Sequence, residues 1–150
     1  MSIEAFIPTL PETRQEPDWP PPPVLEQLTQ DLGAAFVIEL IHAFLDHFAA
    51  TLPIVCAATA RGDLGTVAKE AHSIKGSARQ LEVEVIGAIC EQIEALAKEN
   101  KLREVQLLTV RLEEESNAVE RGLGAYLERL EAQQSASTEL APPLGNREVE

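Results

Sequence analysis

The sequence predicts an all-α protein, an antiparallel up-down-up-down four-helix bundle with a short leading helix. Leu, Ala, Ile, Val, Glu and Gln dominate the middle of the chain while only 4% of residues are aromatic, a mixture of helix formers rather than strand formers. Apolar residues recur at three- and four-residue steps through four successive long segments, as amphipathic helices require. Short turn signals separate those segments, which sets consecutive helices side by side and antiparallel. A chain of 150 residues, 45% of them hydrophobic, suits a single core.

Residues 1–23 carry Pro8, Pro11, Pro17 and the run Pro20 to Pro23. These remove backbone donors and hold the chain extended, so this stretch reads as a disordered tail. The folded unit is expected over residues 24–132. Val24, Leu25, Leu28 and Leu32 mark the leading helix, stopped by Gly33. Phe36, Val37, Leu40, Ile41, Phe44, Leu45 and Phe48, continued by Leu52, Cys56 and Ala57, form the first long stripe, which ends near Gly62. Pro53 inside it predicts a kink. Asp63 is a good N-cap for the next helix, although Thr66 stands where a capping box would place Glu or Gln. That helix should reach about Leu81. Val85, Ile86, Ile89, Cys90, Ile93, Leu96 and Ala97 make the third stripe, which ends near Asn100. Leu102, Val105, Leu108, Leu112, Val119, Leu123, Tyr126, Leu127 and Leu130 make the fourth, with Gly122 and Gly124 as weak points. Residues 133–150, with small polar residues, Pro142, Pro143 and Gly145, read as a disordered C-terminal tail.

A net charge of −13 opposes binding to nucleic-acid backbones and to anionic membranes, which points to a protein partner. No unbroken apolar run reaches bilayer length, and Met1-Ser2-Ile3-Glu4 lacks the features of a secretion signal, so the expected location is the cytoplasm. Cys56 and Cys90 fall within helical apolar patterns and read as buried, reduced thiols. His42 and His47 diverge by about 140° on one helix and make no metal pair. No metal site is expected. Glu113, Glu114 and Glu115 read as a solvated helix face.

Chemistry concentrates on the helix from Asp63 to Leu81. At about 100° per residue, Val67, Ala71, Ile74, Ala78 and Leu81 gather toward the core. Lys69, His72, Gly76 and Arg79 collect on the opposite side, with Lys75 on the flank. The histidine is thus exposed among cations within an acidic chain, and such cations stabilise a phosphoryl group in transfer more than a bare imidazole. Gly76 costs about 0.8 to 1 kcal/mol relative to alanine in a helix interior. On the solvent side it leaves a bare patch that another protein's backbone can approach.

Ala71-His72-Ser73-Ile74-Lys75-Gly76-Ser77-Ala78 resembles the signature of histidine-containing phosphotransfer (HPt) domains. The resemblance extends upstream through Phe44-Leu45-Asp46 and the stretch Ala58 to Asp63, and downstream through Cys90-Glu91-Gln92-Ile93-Glu94. It implies a phosphorelay carrier without kinase activity of its own: His72 attacks the phosphoaspartate of a receiver domain and a second receiver later takes the group. It further implies that Lys75 helps neutralise the phosphoryl oxygens and that Lys69, Gly76 and Arg79 belong to the docking surface. The expected partners are receiver domains, with a hybrid sensor histidine kinase as a further candidate. Mg²⁺ is expected on the receiver, with no cofactor on this chain, and a monomer is implied. Two departures stand out, because many family members have a small residue where Arg79 stands and a glycine where Glu82 stands. The alternative reading is a helical adaptor that binds receivers without being phosphorylated.

Overall fold

The computed structural model describes residues 19–140. Helix α1 spans Pro23–Leu32, α2 Ala34–Ala60, α3 Leu64–Gln80, α4 Glu84–Lys98 and α5 Leu102–Leu140. No strand occurs among the described residues, so the all-helical expectation holds. Each long helix packs on its neighbour in sequence and α2 also packs on α5, which closes a ring of four around one core; α1 rests on α2.

The core is built from most of the predicted stripe residues, although Phe36 and Ala57 of the first stripe are exposed. Val37, Ile41, Phe44, Phe48 and Val55 of α2 meet Val67, Ala71, Ile74 and Ala78 of α3, Ile86, Ile89, Cys90 and Ile93 of α4, and Val105, Leu112, Val119 and Leu123 of α5. By length and composition α2 is apolar enough to cross a membrane, with a mean hydropathy of 1.5 over its most apolar stretch. Glu39, His42, Asp46 and His47 interrupt it, so it contains no unbroken apolar run of that length. Its buried stripe is filled by neighbouring helices, as in the core helix of a bundle. The helix continues through Pro53, an exposed position.

The three turns between long helices share one construction. Asp63, Val83 and Lys101 each donate an amide to the carbonyl five residues back, on Ala58, Ala78 and Leu96; Gly62, Glu82 and Asn100 donate to Thr59, Arg79 and Ala97. These paired bonds satisfy carbonyls that a helix end otherwise orphans, and they require a left-handed residue at the corner. Gly62, Glu82 and Asn100 fill that role with φ of 75°, 59° and 62°. Glycine adopts the conformation without penalty and asparagine tolerates it, whereas a glutamate there is strained. The glycine missing at Glu82 is therefore missing where the backbone would use one.

Thr66 completes the cap of α3 in place of an acidic residue. Asp63 accepts the Thr66 amide at 3.2 Å and the Thr66 hydroxyl at 2.7 Å, and these two bonds hold its carboxyl below the usual range.

At both ends the ordered unit exceeds the expected limits of 24 and 132. Trp19 packs against α5 so closely that a Cβ on Gly122 would lie 2.5 Å from the indole and 2.6 Å from the Trp19 carbonyl. Gly122 is thus the seat of Trp19 rather than a weak point, and Trp19 belongs to the packed unit. Helix α5 runs on to Leu140 because nothing between Glu131 and Leu140 breaks a helix, although residues 131–136 are exposed and gain no core contact. The remaining tail residues, 1–18 and 141–150, lie outside the described residues.

Candidate functional site

The α3 register turns His72 outward, leaving its side chain 67% exposed. Lys69, Gly76 and Arg79 are likewise exposed, as the helical spacing predicts. A Cβ on Gly76 would meet nothing within 4 Å, so packing within this chain does not require glycine there. The bare patch faces outward.

What the spacing does not reveal is the group that faces the ring from α4. Glu94 lies four residues after Cys90 and three before Ala97, on the apolar stripe, and its side chain is only 12% exposed. His72 Nδ1 lies 3.2 Å from Glu94 Oε1 and 3.1 Å from Oε2. Lys75 Nζ reaches Oε1 at 3.0 Å, and Lys98 Nζ reaches Oε2 at 3.1 Å. One carboxylate therefore gathers an imidazole and two ammonium groups. Burial alone would raise the Glu94 pKa, but hydrogen bonds from Lys75, Lys98 and His72 outweigh it and hold the group at about 2.

This fixes the chemistry of the ring. An ionised carboxylate only accepts, so the nitrogen facing it carries a proton, and in the neutral ring this is the Nδ1–H tautomer. Nε2 then keeps its lone pair and has no partner among the described residues. A neutral imidazole with one nitrogen anchored and the other free is a competent nucleophile.

The other cations are placed differently from one another. Lys75 is only 21% exposed and sits on Glu94, rather than standing free on the flank. Arg79 pairs with Glu91 at 2.6 Å, which holds its guanidinium pKa above the ordinary value. Its stem crosses Gly87, where a Cβ would lie 3.0 Å from Nε. Arg79 thus ties α3 to α4. A shallow hollow beside His72 is lined by Gly65, Ala68, Lys69, His72, Glu94 and Lys98.

The histidine pair, Cys56 and Glu113 are each placed by the packing of α2 against its neighbours. Ser73 Oγ lies 3.1 Å from His47 Nε2, while His42 Nε2 pairs with Glu131 at 3.5 Å, so the two histidines do diverge. Among the described residues no group of three His, Cys, Asp or Glu converges as metal ligands do. Both cysteines are free, but only Cys90 is buried. Cys56 is half-buried and donates to Glu113 at 3.2 Å, so Glu113 is not merely solvated. Burial first, then Glu113, pushes the Cys56 thiol up to about 12.

A family model described as the Hpt domain matches residues 39–133, more than half of the chain and all of the site. The chain belongs to the Hpt domain family. Membership carries phosphotransfer in two-component phosphorelays as the general function. Neither the curated proteins nor the solved structures yield a match.

Glu94 and Lys98 are the residues around His72 that periodicity does not find. The signal for Glu94 was a single acid on an otherwise apolar stripe, a position where a charge is tolerated only if paired. Lys98 follows it by one helical turn.

Proposed function

We propose that this Hpt protein is a phosphorelay intermediate that takes a phosphoryl group from a receiver-domain phosphoaspartate onto His72 Nε2 and passes it to another receiver. The observation that carries this reading is the anchored, solvent-facing imidazole: Nδ1 on Glu94 and Nε2 unpartnered. In the forward step the Nε2 lone pair forms the N–P bond while the acyl O–P bond breaks, and the electron pair leaves with the aspartate carboxylate. The ring gains a positive charge, with its proton still on Nδ1, and the Glu94 carboxylate balances that charge at hydrogen-bond distance. Transfer onward reverses these movements.

The receiver would supply Mg²⁺, and this chain would need no cofactor. Lys75 acts on the ring chiefly by holding Glu94 in place. Lys69 and Gly76 would border the docking receiver, and Arg79 would act there through the α3–α4 surface it stiffens. The expected frame is a monomeric up-down-up-down bundle in the cytoplasm. Opposed numbering across the seams supports that topology: His72 faces Glu94 while Arg79 faces Glu91, and Cys56 faces Glu113 while Thr59 faces Thr109.

The test is transfer of labelled phosphate from a panel of phosphorylated receivers to the chain and to its His72→Gln variant. Acid-labile label on the parent and none on the variant is the expected result. Binding of receivers without label on either protein would replace the carrier with the adaptor reading.

A further inference from the structure

We infer that the phosphoryl group on His72 seats in the hollow over Gly65 and Ala68, gripped by Lys98 and Lys69, while Lys75 stays on Glu94 as its fixed counter-cation. This rests on the carrier reading and divides the work among the three lysines.

Direction is the first argument. The Cα–Cβ bonds of a helix tilt toward its N-terminus, so an outward side chain covers the turn before its own residue. For His72 that turn holds Ala68 and Lys69, with Gly65 one turn further back. Gly65 and Ala68 are the two smallest residue types, and they leave the floor of the hollow bare. Gly76 lies on the other side of the ring.

Availability is the second. With Nδ1 on Glu94, only Nε2 can take the phosphoryl group, and the hollow beside the ring, lined in part by Glu94 and its partner Lys98, is where that group meets cations. Lys75 Nζ is bound to Glu94, its side chain is only 21% exposed, and it does not line the hollow. Lys98 does line it, and its side chain is 65% exposed. Lys69 lines it from the α3 side.

Charge is the third. A phosphoryl group brings about two negative charges beside a carboxylate that has three cationic or imidazole partners. An exposed lysine exchanges one anion for another at little cost, because its ammonium stays hydrated throughout. If Lys98 turns to the phosphoryl oxygens, Glu94 keeps Lys75 and the now cationic ring. Every charge then retains a partner. If Lys75 turned instead, a largely buried carboxylate would lose its least exposed cation.

The test phosphorylates the full chain with phosphoramidate, whose P–N bond breaks with loss of ammonia as Nε2 takes the phosphoryl group. The ³¹P resonance of phospho-His72 is then followed against pH, with the residue identified by its imidazole ¹⁵N signals. A contacting ammonium lowers the midpoint for the second ionisation of the phosphoryl group. Lys98→Ala should raise that midpoint by about one pH unit, a tenfold change in proton affinity, and Lys98→Arg should restore it. Lys69→Ala should raise it less, and Lys75→Ala least of the three. A larger rise for Lys75→Ala, no rise for Lys98→Ala, or failure of phosphoramidate to label so exposed a ring would each overturn the inference. Failure of receivers to transfer to a chain whose chemically made phosphohistidine titrates as expected would count against the carrier reading alone.

Discussion

Two seams of the bundle put polar groups between helices and use them differently. Between α2 and α5, Thr109 donates its hydroxyl to the Val105 carbonyl at 2.8 Å, so Thr59 donates to Thr109 at 3.3 Å. Cys56 donates to Glu113, whose carbonyl accepts the Ser116 hydroxyl at 2.8 Å. Each of these four donors is used locally, and none of them stands as a free nucleophile. Between α3 and α4 a single carboxylate draws in three partners, and one of them, His72, retains a free nitrogen facing solvent. The difference lies in what the shared acceptor leaves over. A closed network holds helices together, whereas a network anchored at one end of an exposed imidazole also prepares that ring to react.

The sharpest break of this comparison is Glu94→Ala. It removes the partner of Lys75, a poorly exposed ammonium, and frees the ring to change tautomer. We expect a loss of about 2 kcal/mol in urea unfolding together with a fall in the rate of phosphoryl acceptance. Unchanged acceptance would mean that the anchor on Nδ1 is only structural. Thr109→Val in the closed seam should cost about 1 kcal/mol and leave acceptance at the parental rate. A drop in acceptance there would show that the two seams are coupled.

Glu82→Gly works in the opposite direction, relieving a strained corner at the turn that joins α3 to α4. It should raise stability by about 1 kcal/mol, read as a higher urea midpoint, without moving the His72 site. The Glu94 carboxylate also sets a pH dependence. Because the Glu94 pKa is depressed to about 2 in the folded chain, its stabilising contribution is full above the ordinary glutamate range and is lost as the pH falls toward 2. Carboxyl ¹³C titration should show Glu94 still ionised well below the usual glutamate range.

The helices, their stripes, the Asp63 cap and the outward face of His72 were legible because periodicity and capping are local properties of sequence. Glu94 was not, since its role depends on which residues the fold brings from α3 across the seam. Arg79 shows the same limit: spacing places it on the exposed face, but its reach over Gly87 to Glu91 is a tertiary fact. Trp19 was hidden by its prolines, which mark an extended chain without saying whether that chain packs. Its seat on Gly122 pairs residues more than a hundred positions apart. The length of α5 was underestimated because the apolar stripe ends before the helix does, and the last turns rest on propensity alone.

The most direct test of the Glu94-anchored site is to identify the phosphorylated nitrogen. After transfer from a receiver, ¹⁵N imidazole spectra of the chain should show phosphorus coupling at Nε2 of His72 and a proton retained on Nδ1. Coupling at Nδ1, or at His42 or His47, would contradict an account in which Glu94 holds one nitrogen so that the other can react.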